Sequence, residues 1–561
     1  MQLRLVCILY GVVMEFELSV SLVNKFLAML DSETILAKHL SEHGLTNGKI
    51  VVPGRLFDSE SLKQLRNLAE QEGDRPLFFQ VIALQNTLID KEKDKASLVV
   101  PYLDMLVPAL IKYLARDAID GWLYRRNRDG VLLPWLVCDI EYIEPSEGRP
   151  YVAILLLANT VQAANKDTSD APEKWRSGMT NAILFYQREM GNLTIPEMLA
   201  RKGFFKECQE FKQEYQIQVA RFQNFQPLYG KQFMARHSAF LSSGDIINDK
   251  LELFRIKAGT SVKCVNDEEL LERRFETNSD REFWDASGVG EGFNKIPLHC
   301  YLYMFHLELH QNMWVHVQNL TEYEYKADLR DKLILPPAHR TLIDILTSNM
   351  DVLMDDIVEG KSGGTTILCM GASGLGKTLT AEVYSEVVGK PLYRVHSGQL
   401  GTSAISVEQA LTTILRRAAR WDSILLLDEA DVYIRCRDND LQHNAIVAEF
   451  LRTLEYFDGL LFMTTNRVDD VDDAILSRCI AVIRYEAPPR DDAVRLWQTL
   501  STQFQVDLSD ELITELVTTY QSASGRDIKE LIKLTSRYCT STNTPFSLEA
   551  FQQCAVFRGK I

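Results

Sequence analysis

The fold of this chain is decided at residues 367–378, which read Ile-Leu-Cys-Met-Gly-Ala-Ser-Gly-Leu-Gly-Lys-Thr. The four leading apolar residues predict a buried β-strand. The residues from Gly371 to Thr378 match the phosphate-binding pattern G-x-x-x-x-G-K-[ST], in which glycines allow a tight turn that directs backbone N–H groups at phosphate oxygens. The stretch therefore predicts a nucleotide-binding loop; the alternative is a glycine-rich turn without a ligand.

The same pattern gives each residue of the loop a role. Lys377 would reach the β- and γ-phosphates, and the Thr378 hydroxyl would ligate Mg²⁺. A helix is predicted from Leu379 to Val388, and its N-terminus would add positive charge beside the phosphates. The candidate nucleotide-binding residues are Gly371, Ala372, Ser373, Gly374, Leu375, Gly376, Lys377 and Thr378.

Composition narrows the class of protein. A chain of 561 residues is expected to hold about three or four domains. The net charge of −16 argues against nucleic acid as a partner of the whole surface. No apolar run has the length of a membrane span, so no membrane partner is expected. Ten cysteines without a C-x-x-C pair favour a reducing compartment, and we expect a cytoplasmic protein.

The beginning of the chain allows two interpretations. The apolar run 5–13 superficially resembles a short signal peptide, but no small-x-small cleavage site follows it. The alternative is an over-extended start, with Met14 as the first residue of the product, and we favour this second interpretation.

Residues 1–330 predict an α+β region without a catalytic constellation. Two β-rich pairs are expected, one from Trp135 to Leu157 and one from Cys300 to Val317, and 195–225 is expected to be one long helix. Four histidines lie in or beside the second pair. Their spacing matches no metal-binding pattern, so ordinary strand histidines are expected rather than a metal site; they are His299, His306, His310 and His316.

A second motif, which is acidic, follows the phosphate loop by about fifty residues. Residues 424–431 read Ile-Leu-Leu-Leu-Asp-Glu-Ala-Asp, which predicts a buried parallel strand with carboxylates at its end. Asp428 is the candidate Mg²⁺ ligand, together with Thr378. Glu429 is the candidate base that deprotonates an attacking water. A third apolar strand ends at Asn466, in the ligand crevice of an open α/β sheet.

Between these motifs lies a polar loop, 397–406, followed by a predicted helix that begins at Ser406 with Gln409 completing a capping box. Further on, residues 490–561 predict a set of helices, one of which has Ser524 as N-cap and Arg526 in its first turn.

These motifs together resemble the AAA family of the AAA+ ATPases over roughly residues 330–561. The resemblance rests on 371–378, 427–431, Thr464-Thr-Asn-Arg467 and Ala474-Ile-Leu-Ser-Arg478. Residues 419–431 and 450–456 are most similar to a poorly characterised branch common in fungal proteins. The resemblance implies an α/β P-loop NTPase (AAA+) module with a C-terminal helical lid, preceded by the α+β region. The implied boundaries are 1–330, 331–489 and 490–561.

The resemblance also implies roles for three further residues. Asn466 is implied to help place the lytic water, and Arg526 to contact the bound phosphates from the lid. Arg478 is implied to be an arginine finger that acts on the γ-phosphate held by a neighbouring subunit. The family usually has two arginines near this position, whereas Arg478 stands without the second one. The trans contact therefore depends on a single residue.

The resulting hypothesis is a Mg²⁺-dependent ATPase whose hydrolysis of ATP remodels a protein client, assembled as a ring that the resemblance implies is a hexamer. The alternative is an ATP-gated switch or scaffold with slow turnover. Protein-threading relatives carry an aromatic residue in the loop that here spans 398–406. Leu400 and Ile405 are the large apolar residues of this loop, so we expect weak or absent processive unfolding.

Overall fold

The structure is a computed structural model of the 561-residue chain. It describes residues 15–30, 34–42, 49–74, 77–78, 80–81, 100–161, 176–190, 193–242, 251–268, 282–288, 293–348, 364–437, 440–455 and 457–558. The two alternative starts of the chain lie outside these residues, except that the segment after Met14 is described from Glu15.

The first described unit is a small α/β layer. Two antiparallel strands carry Phe16 and Val52 on the face that the helices cover, and both side chains are fully buried. Strands with alternating polar and apolar residues pack on amphipathic helices in this way because each element has a single apolar face. The elements are β1 (Glu15–Ser19), α1 (Val20–Leu27), α2 (Ile35–Glu42), β2 (Lys49–Pro53) and α3 (Ser59–Gln71).

A five-stranded antiparallel sheet follows, with strand order β6-β5-β4-β3-β7. It confirms the predicted first hairpin, but the single long helix expected over 195–225 is wrong. The chain turns at Gly203, where φ is +79°, and forms a short strand that pairs with β3 before the next helix begins. The elements are α4 (Leu106–Ala115), β3 (Trp122–Arg126), β4 (Leu132–Ile143), β5 (Tyr151–Thr160), β6 (Arg176–Tyr186), α5 (Ile195–Arg201), β7 (Phe204–Lys206) and α6 (Gln209–Phe225).

The third unit is a seven-stranded antiparallel sheet with order β10-β9-β13-β12-β11-β8-β14. Its central hairpin, β12–β13, confirms the second predicted pair. The elements are β8 (Gln232–Ala235), β9 (Ser238–Ser242), β10 (Leu251–Arg255), β11 (Val262–Asn266), α7 (Glu282–Ser287), β12 (Tyr301–His306), β13 (Gln311–His316) and β14 (Leu320–Glu322).

No cluster of three or more potential metal ligands occurs among the described residues. His299 is buried and its ring contacts Thr160 Oγ1 at 2.6 Å and the Pro134 carbonyl oxygen at 2.8 Å. Burial lowers the pKa of His299 to about 4, so the ring is neutral at pH 7.

The parallel sheet contains the strand that precedes the glycine-rich loop 371–378. Its strand order is β16-β17-β18-β15-β19, and every neighbouring pair is parallel. Helices cover both faces, which explains the continuous apolar runs in β15, β17 and β18. The elements are α8 (Leu329–Lys332), α9 (Pro337–Ser348), β15 (Thr365–Gly371), α10 (Lys377–Val388), β16 (Leu392–His396), α11 (Ala404–Arg420), β17 (Ile424–Asp428), α12 (Asp431–Ile434), α13 (Leu441–Leu454), β18 (Leu460–Thr465), α14 (Asp473–Leu476) and β19 (Ala481–Tyr485).

Helix α11 begins earlier than predicted. The sequence analysis placed its start at Ser406, but Ser403 is the N-cap and accepts a hydrogen bond from the Ser406 backbone amide at 3.2 Å. The Ser406 hydroxyl in turn accepts a hydrogen bond from the Ser403 backbone amide, at 3.1 Å. The capping box is therefore made by Ser403 and Ser406 rather than by Ser406 and Gln409, because each serine hydroxyl accepts a hydrogen bond from the amide of the other.

The C-terminal residues form a helical group with its own core around Trp497 and Phe551, whose rings meet edge to face at 5.6 Å. Ser524 is the predicted N-cap of the third helix and accepts from the Asp527 amide at 3.2 Å. No helix in the described part of the chain is long and apolar enough to cross a bilayer. The elements are α15 (Arg490–Gln503), α16 (Asp510–Thr519), α17 (Gly525–Thr542) and α18 (Leu548–Ala555).

The apolar core crosses the boundary predicted near residue 330. Phe305, at the end of β12, is buried against two rings of the parallel-sheet unit, with centroid distances of 4.9 Å to Trp421 and 5.7 Å to Tyr393. Asp267 accepts hydrogen bonds from Trp421 Nε1 and Arg420 Nη2, both at 2.9 Å. The seven-stranded sheet is therefore packed on the parallel-sheet unit and shares its core.

We predict that Phe305→Ala lowers the free energy of unfolding by about 3–5 kcal/mol, because the cavity opens between two cores. Urea unfolding of the full chain measures the change. Leu309→Ala on the same hairpin is the matched control, since that side chain is 46% exposed and its loss is expected to cost less than about 0.5 kcal/mol. Equal effects of the two substitutions would show that the shared core contributes little.

Candidate nucleotide-binding site

The loop between β15 and α10 has the backbone that its glycines predict. Gly374 and Gly376 have φ values of +86° and +97°, a region that L side chains rarely adopt. At Gly374 a Cβ atom would lie 2.5 Å from Ser524 Oγ, so the loop also touches the start of α17. Gly376 is the N-cap of α10, which directs the N-terminus of that helix into the loop.

Lys377 is held at the centre of the site. Its ammonium donates to the carbonyl oxygens of Gly371 at 2.8 Å and Ala372 at 2.7 Å, and to Asn466 Oδ1 at 2.9 Å. Burial lowers the pKa of Lys377 below its ordinary value, and the charges of Asp431 and Asp428 act in the opposite direction. The geometry brings the predicted lysine and the predicted asparagine into direct contact.

Asp428 is buried at the end of β17, where it contacts side chains from two neighbouring strands and from α10. Its Oδ1 atom accepts hydrogen bonds from Thr378 at 2.9 Å and from Thr464 at 2.6 Å. Burial by itself would raise the pKa of Asp428, but these hydroxyls and the Arg394 guanidinium hold it below its ordinary value. A carboxylate and a hydroxyl oxygen side by side are donors of the kind that Mg²⁺ prefers, so Asp428 and Thr378 fit the metal.

The two remaining carboxylates of the acidic motif have different surroundings. Glu429 is exposed, lines the cleft and has a φ of +56°; its amide donates to Thr464 Oγ1 at 3.0 Å. Asp431 instead accepts from Thr465 Oγ1 at 2.6 Å and from the Asn466 amide at 3.2 Å. Glu429 is thus accessible in the cleft, while Asp431 fixes the end of β18.

The two predicted arginines lie in different places. Arg526, in the first turn of α17, donates to Ser373 Oγ at 3.2 Å and lines the same cleft. Arg478 follows α14; it forms an ion pair with Glu455, donates to the Ala474 carbonyl oxygen at 3.1 Å, and is not among the described residues that line the cleft. The structure therefore joins Arg526 to the loop and keeps Arg478 away from it.

Arg394 was not among the site residues predicted from the sequence. This side chain donates to Asp428 Oδ2 at 2.5 Å and lies 3.5 Å from Glu382 Oε1 of α10. A charged residue inside the short, otherwise largely apolar stretch 391–395 was the available signal, because side chains two positions apart in a strand lie on the same face.

A phosphate loop on the central strand, a buried aspartate on β17 and an asparagine after β18 define a P-loop NTPase fold. Residues 367–487 match the model of the ATPase family associated with various cellular activities (AAA). This part of the chain is therefore an AAA-family ATPase domain.

Three relatives illustrate the similarity. The uncharacterized AAA family ATPase y4kL of Sinorhizobium fredii is 27% identical over 32% of this chain and 59% of its own length. Spastin of Xenopus laevis is 26% identical over 30% of each chain. The crystal structure of the FIGL-1 AAA domain in complex with ADP is 17% identical, covers 41% of this chain and 83% of that chain, and has a TM-score of 0.34. The chain spans less than two thirds of the length of both curated relatives.

The loop predicted to face a threaded chain has one aliphatic side chain inside and one outside. Leu400 is 2% exposed and packs in the core of the parallel-sheet unit, whereas Ile405 in the first turn of α11 is 69% exposed. Leu400 is therefore not placed to grip a client in this conformation, and Ile405 is the accessible aliphatic residue of the described loop.

We predict that Leu400→Ala lowers the free energy of unfolding by about 2–5 kcal/mol. Ile405→Ala, at the exposed position, is expected to change it by less than about 0.5 kcal/mol. Chemical denaturation of both variants measures this difference. A Leu400→Ala variant as stable as the parent would mean that the loop releases Leu400 readily and that the side chain is free to contact a client.

Proposed function

We propose that this chain is a Mg²⁺-dependent ATPase that uses ATP hydrolysis to remodel a protein client or complex. The observation that carries the proposal is the meeting in one cleft of Lys377, the Thr378–Asp428 pair and Glu429. These are the groups that phosphoryl transfer to water requires: a cation for the phosphates, oxygen ligands for the metal and a base for the water.

In this proposal Lys377 exchanges its carbonyl partners for phosphate oxygens, with which an ammonium forms stronger, charge-assisted hydrogen bonds. Thr378 and Asp428 would hold Mg²⁺, which supplies neutralisation of the phosphate charge when bound. Glu429 accepts the proton of the attacking water, and Asn466 orients that water from the neighbouring strand. Arg526 contacts the phosphates from the helical lid, 490–561, and so reports nucleotide occupancy to that lid.

Arg478 acts in a second copy of the chain. Its distance from the cleft of its own subunit supports a role across an interface, where it would approach the γ-phosphate of the neighbour. We therefore propose a ring assembly, with the hexamer as the subunit number that the family resemblance favours. The client is a protein chosen by residues 1–330, with neither nucleic acid nor a membrane as partner, and the site of action is the cytoplasm.

A second candidate function is an ATP-gated switch or scaffold with slow turnover. The burial of Leu400 favours it, because a loop without an accessible aromatic ring gives a threaded chain little to hold. ATP turnover with and without the partners recovered on the full chain separates the two functions, since a remodelling enzyme is stimulated by its client.

We predict that Lys377→Ala abolishes ATP binding, whereas Glu429→Gln binds ATP normally but loses at least about a hundredfold in turnover. The amide of glutamine cannot accept the proton of water. Phosphate release and a fluorescent-nucleotide titration measure the two steps separately. Glu486→Gln, which removes another exposed carboxylate of the same cleft, is the control and should retain turnover. Wild-type turnover by Glu429→Gln would remove Glu429 from the base role.

We predict that Arg478→Ala alone loses about a thousandfold or more in turnover. Mixing it with Lys377→Ala subunits should restore part of the activity, because some interfaces then pair an intact cleft with an intact arginine. Turnover across a series of mixing ratios, with subunit exchange verified by labelled chains, is the measurement. Absence of rescue in exchanged assemblies would argue that Arg478 acts only within its own subunit.

A further inference from the structure

Arg394 forms a bridge between two carboxylates of the nucleotide cleft. One terminal nitrogen donates to Asp428 Oδ2 at 2.5 Å, and the other lies 3.5 Å from Glu382 Oε1. The Asp428 side chain is 5% exposed, whereas those of Arg394 and Glu382 are 40% and 44% exposed. The buried end of the bridge is therefore the carboxylate that we assign to the metal.

The alternation of side chains along β16 determines on which face of the sheet this guanidinium lies. In β16, Tyr393 and Val395 enter the core on the α11 side, so Leu392 and Arg394 lie on the opposite face, against α10. β16 pairs in parallel with β17, in a register that sets His396 beside Asp428. Arg394 is thus two residues before the end of its strand and reaches along the sheet to the aspartate.

The same strand is held from the other side by the N-terminal region. The Tyr393 ring lies 5.7 Å from Phe305 and 5.4 Å from His310, both on the β12–β13 hairpin. A strand fixed by packing on one face presents the side chains of its other face in a defined position. The backbone that carries the arginine is consequently held in place beside the cleft.

The contacts of Asp428 leave neither carboxylate oxygen without a partner. Oδ1 accepts from Thr378 and Thr464, and Oδ2 accepts from Arg394. A fixed positive charge at this distance opposes a divalent cation, since like charges repel strongly where water is partly excluded. A guanidinium also pairs readily with phosphate oxygens, so the phosphates of a nucleotide offer Arg394 an alternative anionic partner.

We propose that Arg394 is a positioning residue that prevents a divalent cation from binding Asp428 in the nucleotide-free protein and yields this carboxylate only when nucleotide phosphates are present. The inference rests on the proposed ATPase function. Its consequence is that metal and nucleotide enter together, and that the carboxylates Asp428 and Glu382 stay neutralised between turnovers.

The test is a titration with Mn²⁺, carried out once without nucleotide and once with ADP. Binding is measured as the decrease of the free-ion signal in electron paramagnetic resonance. The wild-type chain should bind Mn²⁺ at this site only with ADP. Arg394→Gln should bind Mn²⁺ without nucleotide at least about tenfold more tightly than wild type, because one positive charge has left two carboxylates. The gain should disappear in the double variant Arg394→Gln/Asp428→Asn.

Two variants serve as controls. Arg484→Gln removes an arginine from the same cleft wall without a contact to Asp428, and its nucleotide-free Mn²⁺ affinity should equal that of wild type. Arg394→Lys keeps the charge and should continue to exclude the ion. Arg394→Met keeps the length of the side chain without its charge and repeats the test if the glutamine variant fails to fold.

Equal nucleotide-free affinities of wild type and Arg394→Gln would overturn the inference, as would a gain that survives Asp428→Asn or that Arg484→Gln reproduces. Each of these results leaves the proposed function intact as long as wild type binds Mn²⁺ with ADP. Failure of wild type to bind Mn²⁺ with ADP would instead contradict the proposed function itself.

Discussion

The parallel pairing of β15 with β18 and β19 is the constraint on which the rest of the structure depends. Parallel strands bring their carboxyl ends to one edge, and the phosphate-loop sequence, Asp428 and Asn466 are attached to that edge. Gly371 ends β15, Asp428 ends β17 and Asn466 follows β18. Buried helices on both faces fix these ends relative to one another, so the functional groups need no loop rearrangement to meet.

Electrostatics also determine how the charged side chains of the site are held. Lys377 has three oxygen acceptors and Asp428 has two hydroxyls and a guanidinium as partners. A buried charge without such partners would cost several kcal/mol, roughly the size of a domain's whole stability. The site is thus a set of hydrogen bonds whose protein partners phosphate and metal would replace in the proposed function.

The N-terminal region is connected to this site through packing rather than through a flexible linker. Phe305, Tyr393 and Trp421 form a single aromatic group across the two units. Glu386 of α10 adds a polar connection, accepting from Tyr323 at 2.5 Å and from the Lys326 amide at 3.0 Å. Both connections reach elements that carry site residues, α10 and β16, so a partner bound to the N-terminal region has a direct mechanical route to the cleft.

The sequence by itself determined the parallel sheet, the glycine-rich loop, the aspartate at the end of a buried strand and the cap at Ser524. Each follows from a local rule: a continuous apolar run, glycines at positive φ, or a side chain that satisfies the amides of its own helix. The sequence also predicted the two antiparallel hairpins of the first half. It failed over 195–225, where pairing with β3 outweighed the helical pattern, and at Ser403, where two serine caps compete within one turn.

Only the tertiary structure decided the positions of Arg394, Arg478 and Leu400. Their surroundings are created by residues distant in the chain: Asp428 for Arg394, Glu455 for Arg478, and the core of the parallel-sheet unit for Leu400. The shared core with Phe305 has the same origin. Periodicity tells which face of an element is apolar, but the partner of that face is chosen by long-range packing, which no local pattern encodes.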